Sequence, residues 1–187
     1  MNHIHLEKKG LRGLGIAESF HQGDKHSNLA GIVMRRDFII DGFVFGKCTI
    51  EGNDATYAIL EMFQKLQRDD ISFIMISGLI ISMYNIIDIK KISQRLGLPV
   101  IGVTYEDSSG IEESIKKHFP DSYQEKIAQY RNLEERKKIS LGTGHDVYVR
   151  TYGCVIDEVK KLLDAFTLQG AFPEPLRVAQ LLAKTKI

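Results

Sequence analysis

Polar residues stand where predicted strands end, and these are the residues that could do chemistry. Ser77 and Gly78 follow the largely apolar segment "ISFIMI", and Tyr105 follows "PVIGVT". In an open α/β sheet, ligands bind beside the carboxyl ends of the strands. An acid at Ser77 would indicate a metal ligand, because Mg²⁺ prefers carboxylate oxygens. The neutral serine leaves two alternatives for Ser77 and Gly78, a pocket lining and a plain turn.

Two carboxylates could form a reduced metal site. Glu18 ends the first predicted strand, "LRGLGIAES", and Asp54 precedes the helical pattern "ATYAILEMFQKL". Metal-dependent cleavage with two ions requires carboxylates that hold both of them. Glu18 and Asp54 are therefore the candidate catalytic and metal-binding residues, provided that they converge near Ser77. The alternatives are a solvated turn for Glu18 and a helix N-cap for Asp54.

Two further side chains are candidate ligand contacts. Asn85 faces the same cleft or caps the helix that follows, and Asp88 is better explained as such a cap. Arg177 binds phosphate or, as the simpler interpretation, pairs with Glu174 three residues earlier. The predicted ligand-binding residues are thus Ser77, Gly78, Asn85, Tyr105 and Arg177.

The hydrophobic pattern predicts a single α/β domain over residues 1–187. Three alternating segments, "LRGLGIAES", "NLAGIVMRR" and "FIIDGFVFGKCTIEG", predict an antiparallel meander. A helix follows, and then a strand, a helix and a strand joined by short loops predict a parallel crossover. The charged segment "SYQEKIAQYRNLEERKK" predicts a solvated helix, "GHDVYVRTYG" a late strand, and two terminal helices complete the order.

Composition narrows the class of protein. The net charge of +1 gives no bulk argument for nucleic acid or a membrane, although a local basic groove remains open. Two cysteines and no apolar run of about 20 residues predict a soluble, cytoplasmic protein with reduced thiols. The spacing of the histidines does not match a zinc site, and "GLRGLG" does not match a dinucleotide-binding loop. The sequence leaves the oligomeric state open.

Two segments resemble a known family. "FPEPLRVAQLLA" is similar to the terminal helix of endonuclease V, and "SGLIISMYNIIDIKKISQRLGLPVIGVTY" is similar to a strand end, helix and strand of that family. Nearly the whole chain resembles a family of endonuclease V-like proteins, mainly archaeal and of unknown function. The resemblance implies an RNase H-like fold, in agreement with the order of elements. It also implies magnesium-dependent cleavage near deaminated bases.

The resemblance places the acids of endonuclease V at positions that lack them here. The first falls at Ala17, beside Glu18, and the second at Ser77. The third falls near Asp54 or Ala58. Glu18 and Asp54 would then be the surviving ligands of Mg²⁺ or Mn²⁺, although the sequence defines no cofactor with certainty.

Two further positions of endonuclease V also differ. Its lysine falls at Tyr105 and its histidine near Cys154. We therefore expect a divergent nucleic-acid-acting protein with a degenerate metal site, either a weak metal-dependent nuclease or a binder that has lost cleavage. The alternative is a small-ligand or protein-interaction module with Ser77, Asn85 and Tyr105 lining a pocket.

Overall fold

The computed structural model describes residues 10–185. Its strands are β1 (Arg12–Ser19), β2 (His26–Arg35), β3 (Ile40–Thr49), β4 (Phe73–Ser77), β5 (Ile80–Ile81), β6 (Asn85–Ile86), β7 (Val100–Thr104), β8 (Lys137–Ser140) and β9 (Asp146–Tyr152). Its helices are α1 (Ala55–Leu66), α2 (Ile89–Leu96), α3 (Glu112–His118), α4 (Tyr123–Arg131), α5 (Ile156–Phe166) and α6 (Glu174–Ala183). None of the helices in this part of the chain is long and apolar enough to cross a membrane.

Seven strands form one mixed sheet in the order β3-β2-β1-β4-β7-β9-β8. The first three strands pair antiparallel, as predicted, and β4 and β7 continue the sheet parallel to β1. The β8–β9 hairpin then returns antiparallel to β7. The predicted α/β fold class, with a meander followed by parallel strands, is confirmed.

Helices cover both faces of the sheet. Leu14 and Ile16 of β1 belong to the apolar cluster that contains Ile59 of α1 and Ile92 of α2. Residues of the opposite face pack instead against α5 and α6, because side chains alternate along a strand. Ala17, for example, clusters with Ala179 of α6 on this second face.

A glycine lets α6 approach β1. A Cβ atom added at Gly15 would lie 2.5 Å from Pro175 Cβ and 2.6 Å from the Pro175 carbonyl carbon. The apolar side of this helix is buried at Leu176 and Ala179, each at most 1% exposed. The terminal helix is therefore part of the core.

The region between β7 and β9 corrects the sequence prediction. The charged segment was expected to stay helical through "EERKK", but α4 ends at Arg131 and Lys137–Ser140 form β8. Only Ile139 of this strand is buried. A short edge strand with one buried residue has nearly the same hydropathy pattern as a solvated helix surface, so periodicity does not separate the two.

The segment before α2 contains a small hairpin that the sequence analysis missed. Strands β5 and β6 pair antiparallel over two residues each, so α2 begins at Ile89 rather than near Ile86. Asp88 is its N-cap, as predicted, and accepts a hydrogen bond from the Lys91 backbone N–H at 2.9 Å. The hairpin tip, Ser82 to Tyr84, has three consecutive positive φ angles.

Candidate functional site

Glu18 holds the tip of the β5–β6 hairpin. Its Oε1 accepts a hydrogen bond from the Ser82 backbone N–H at 3.1 Å, and its Oε2 accepts one from Ser82 Oγ at 3.1 Å. Ser82 Oγ also lies 3.2 Å from Cys48 Sγ, which is buried. Burial raises the pKa of the Cys48 thiol to about 11. Glu18 thus stabilises three consecutive left-handed residues, a conformation that costs energy for non-glycine residues.

The Asp54 carboxylate also accepts several hydrogen bonds from neighbouring residues. It accepts hydrogen bonds from the Thr49 backbone N–H at 3.0 Å, from Thr49 Oγ1 at 2.7 Å and from Asn85 Nδ2 at 2.7 Å. Burial alone would raise the pKa of Asp54, but the hydrogen bonds from Thr49 and Asn85 outweigh it and hold the pKa below 3.8. The Asp54 carboxylate is therefore charged at neutral pH, and its oxygens already accept hydrogen bonds from Thr49 and Asn85.

Asn85 performs the capping that was expected of Asp54. Asp54 occupies the N-cap position of α1, yet its side chain makes no capping hydrogen bond. The Ala55 backbone N–H donates instead to Asn85 Oδ1 at 3.1 Å, and Asn85 Nδ2 donates to the Thr49 carbonyl at 2.8 Å. Asn85 is fully buried. The polar groups of Asn85 therefore stabilise the junction of β3, α1 and the hairpin.

Ser77 lies on the other face of the sheet from Glu18. Ile16 of β1 pairs with Ile76 of β4, so the next residues, Ala17 and Ser77, are neighbours on the α6 face. Glu18 follows Ala17 in the strand and points to the α1 face, where it meets Ser82. The expected convergence of Glu18 and Asp54 near Ser77 does not occur, because adjacent residues of a strand point in opposite directions.

This arrangement does not fit the metal site that the resemblance implies. Ala17 supplies no ligand atom and is 3% exposed, and Ser77 supplies a neutral hydroxyl. Within residues 10–185, no group of three or more His, Cys, Asp or Glu side chains is placed to hold a metal ion. A pair of Mg²⁺ ions needs several carboxylate ligands. The donor set at this strand edge is therefore inadequate for two-metal cleavage.

Tyr105 closes the strand edge beside Ser77. Its ring stacks on Phe172, with centroids 3.8 Å apart and an interplanar angle of 22°. Burial raises the pKa of Tyr105, and the Ser77 side chain opposes this shift only in part. The Tyr105 hydroxyl makes no hydrogen bond of regular geometry with the residues that the structure describes. The position that would hold a lysine in endonuclease V is thus occupied by an uncharged, stacked ring.

A cavity of about 820 Å³ opens at the carboxyl ends of β4 and β7. Its walls come from the strand ends, the β5–β6 hairpin, the α3–α4 region and the loop before α6. The volume lies within the usual range for sites that bind small molecules. Five aromatic side chains line it, namely Tyr84, Tyr105, Tyr130, Tyr148 and Phe172.

Two arginines lie against tyrosines of this cavity. The Arg136 guanidinium carbon lies 4.3 Å from the centroid of the Tyr148 ring, and that of Arg150 lies 5.4 Å from the Tyr130 ring. Arg136 also contacts Asp107, with 3.3 Å between Nη1 and Oδ1. Glu106 and Asp107 also line the cavity, so its lining has as many acidic residues as arginines. Aromatic surface, rather than net charge, characterises this site.

The structure brings together only part of the predicted ligand-binding set. Ser77, Gly78 and Tyr105 line the cavity. Asn85 belongs to β6 of the hairpin and contacts Ala55 and Thr49 instead of the cavity. Arg177 Nη2 pairs with Glu174 Oε1, as the simpler interpretation predicted. Five cavity residues from later elements were not predicted, namely Tyr130, Arg136, Tyr148, Arg150 and Phe172. They do not follow the predicted strands β4 and β7 in the sequence, so a polar strand end does not indicate them.

The whole described chain matches one family. The family model described as endonuclease dU matches residues 9–187. The chain belongs to the endonuclease dU family. A UPF0215 protein of Pyrobaculum calidifontis is 36% identical over 171 residues, which cover 91% of this chain and 93% of the relative. One from Thermoplasma volcanium is 34% identical and covers 98% of this chain and 93% of the relative. The predicted membership of a mainly archaeal, endonuclease V-like family is confirmed.

Solved structures confirm the RNase H-like fold. A protein of unknown function from Archaeoglobus fulgidus has a TM-score of 0.79 at 26% identity, covering 92% of this chain and 96% of its own. Endonuclease V of Ciona intestinalis, in complex with DNA that contains an inosine, has a TM-score of 0.59 at 13% identity and covers 94% and 85%. The Marinitoga piezophila Argonaute has a TM-score of 0.53 at 15% identity and covers 96% and 31%.

Proposed function

We propose that this endonuclease dU family member binds unpaired nucleic acid, with a base in the aromatic cavity, and does not cleave it by a two-metal mechanism. The observation that carries the proposal is the group of five aromatic rings around a cavity at the carboxyl ends of β4 and β7. This is the edge at which α/β proteins bind their ligands.

Stacking on aromatic rings is a physical basis for holding a base. Each base that stacks on an aromatic side chain contributes about 1–3 kcal/mol to binding, and any of the bases can stack in this way. Tyr148 and Tyr130 each carry a guanidinium on the ring, from Arg136 and Arg150. Tyr148 and Arg150 belong to β9 and Tyr130 belongs to α4, so the site requires little ordering when a ligand enters.

The aromatic lining of the cavity favours an unpaired strand over duplex DNA, because only an unpaired base can leave its stack and lie on a protein ring. Proteins that neutralise many phosphates bind with a steep dependence on salt concentration. Here Arg136 already contacts Asp107, and the chain has a net charge of only +1. We therefore expect binding that depends on stacking and changes little with salt.

Names and titles of related proteins suggest the first probes. The family description names dU, and the Ciona intestinalis endonuclease V was crystallised with inosine-containing DNA. Uracil and hypoxanthine, the bases of these nucleosides, both arise by deamination. A deaminated base in a single strand is therefore the ligand class to test first.

The same cavity supports a second candidate function. Because Arg136 is paired and five rings surround the space, a neutral aromatic small molecule would meet the same contacts without a phosphate backbone. This alternative predicts that a free nucleoside binds as tightly as an oligonucleotide. The nucleic-acid proposal predicts that the oligonucleotide binds more tightly.

The proposal can be tested with the wild-type protein and labelled single-stranded oligonucleotides. Fluorescence anisotropy should be measured for strands with one deoxyuridine, one deoxyinosine or neither, in EDTA and in Mg²⁺ or Mn²⁺, alongside gels that monitor cleavage. We expect binding that is equal in EDTA and metal, with no cleaved product. Absence of binding to every strand would contradict the binding proposal, and metal-dependent cleavage would contradict the loss of the metal site.

A further inference from the structure

The two arginines of the aromatic cavity differ in how their charges are used. Arg136 contacts Asp107 and also donates to Thr104 Oγ1 at 3.0 Å. Arg150 donates from Nε to the Glu134 carbonyl at 2.8 Å. In the part of the chain that the structure describes, no carboxylate pairs with Arg150, and its Nη1 and Nη2 donate to no acceptor. The cavity therefore contains one arginine whose charge is not matched by an acid.

Strand β9 directs this arginine towards the cavity. Val147 and Val149 are buried in the core cluster that contains residues of α5, so the alternate residues Tyr148 and Arg150 face the opposite side of the sheet. Both of them line the cavity. The Tyr130 ring lies 5.4 Å from the guanidinium carbon of Arg150, a distance at which the ring attracts the cation. The guanidinium is thus held in place while its two terminal nitrogens stay free.

The spacing of Tyr148 and Arg150 suits one nucleotide. Residues two apart on one face of a strand are about 7 Å apart, because the rise is about 3.4 Å per residue. This distance is comparable to the span between the base and the phosphate of a single nucleotide. A base that stacks beside Tyr148 would therefore bring its phosphate to Arg150.

We propose that Arg150 binds one backbone phosphate of the nucleotide whose base lies in the cavity. This inference rests on the proposed function, and it names the contact that distinguishes a strand from a free nucleoside. The planar fork of a guanidinium matches the geometry of phosphate oxygens, and charged hydrogen bonds of this kind are strong. A single phosphate contact gives a slope of about −0.7 when log affinity is plotted against log salt concentration, which agrees with the weak salt dependence expected above.

Strands with one neutral linkage test this inference on the wild-type protein. Each probe is a single strand with one deoxyuridine, in which a methylphosphonate replaces the phosphate on the 5′ side of this nucleoside, on its 3′ side or at a distant linkage. Fluorescence anisotropy gives the dissociation constant of each strand. We expect one of the two adjacent replacements to weaken binding about tenfold, because it removes a hydrogen bond between charged groups. The distant replacement is the control and should leave the affinity unchanged.

The variant Arg150→Gln links this effect to the side chain. It should bind the unmodified strand about tenfold more weakly than the wild type, and the neutral linkage should cause no further loss, since both changes remove the same contact. Arg95→Gln is the matched control for the loss of one positive charge, because Arg95 is an exposed residue of α2 outside the cavity. It should bind every strand as the wild type does. Circular dichroism verifies that each variant is folded, and the measurements on the wild type do not depend on the variants.

The possible results separate this inference from the proposed function. Wild-type binding that is equal for all linkages would overturn the phosphate contact and leave base binding in the cavity intact. A neutral-linkage effect that persists undiminished in Arg150→Gln would show that another residue binds the phosphate. Failure of the wild type to bind any strand would overturn both proposals.

Discussion

Ala17 and Ser77 are neighbours on parallel strands, on the face of the sheet that α6 covers. The register Ile16–Ile76 places them side by side, and Ala17 is packed in a cluster with Ala179. The endonuclease V resemblance assigns an aspartate to each of these positions. The side chains present at the pair, a methyl group and a hydroxyl group, supply no carboxylate ligand.

Restoring both acids tests whether this pair is a vestigial metal site. We expect the double variant Ala17→Asp, Ser77→Asp to unfold at a lower temperature than the wild type, because the two neighbouring carboxylates repel each other and one of them replaces a buried methyl group. Mn²⁺ or Mg²⁺ should raise its melting temperature. The asparagine double variant is the uncharged control and should not respond. If Mn²⁺ has the same effect on the double variant and on the wild type, the two positions do not form a metal site.

Asp54 should stabilise the fold rather than take part in catalysis. Because its folded-state pKa lies below 3.8, its stabilising contribution is present above that pH and is lost as the pH falls through the folded value. Asp54→Asn should therefore lower the free energy of unfolding at pH 7 by about 1 kcal/mol, the difference between hydrogen bonds to a charged and to a neutral group. It should also reduce the loss of stability on acidification.

Urea unfolding at neutral and acidic pH measures this contribution. Asp88→Asn is the matched control, since Asp88 caps α2 and asparagine is an equally good N-cap residue. Equal effects of Asp54→Asn at both pH values would contradict the role assigned to the charged carboxylate.

The close approach of α6 to β1 makes Gly15 sensitive to a single methyl group. Gly15→Ala would place Cβ 2.5 Å from Pro175 Cβ, so strand or helix must shift. Overpacking of this kind costs about 1–3 kcal/mol. Gly142→Ala is the control, because its Cβ would lie 3.6 Å from the nearest atom, Asp164 Oδ1. Gly15→Ala should therefore have a lower melting temperature than Gly142→Ala. Equal melting temperatures would show that α6 can shift without loss of stability.

The sequence was sufficient to predict most of the sheet and its connections. Strands β1 to β4, β7 and β9 have clear apolar patterns, and Gly97 and Pro99 mark the end of α2. The β5–β6 hairpin and β8 were missed because each has too few residues to establish a period. The failure at β8 also extended a predicted helix beyond Arg131.

The candidate site was harder to predict than the fold. Ser77 and Tyr105 were identified from their positions at strand ends, and both line the cavity. The prediction for Glu18 was wrong about the face of the sheet. Because Ala17 shares a face with Ser77, the side chain of the next residue, Glu18, points to the opposite face. Tyr130 and Tyr148 reach the same cavity because α4 lies beside β9, where Arg150 is 5.4 Å from the Tyr130 ring. The spacing of these residues in the sequence does not predict that they line one cavity.

Two tyrosines with similar surroundings allow the most direct test of base binding in the cavity. Tyr148 lines the cavity and lies 4.3 Å from Arg136, whereas Tyr57 lies outside it and 4.1 Å from Lys91. The measurement is the dissociation constant of a single strand with one deoxyuridine, for Tyr148→Ala and Tyr57→Ala. We expect Tyr148→Ala to weaken binding by about tenfold, as the loss of one stacking contact predicts, and Tyr57→Ala to leave it unchanged. Equal dissociation constants for wild type and Tyr148→Ala would contradict base binding in this cavity.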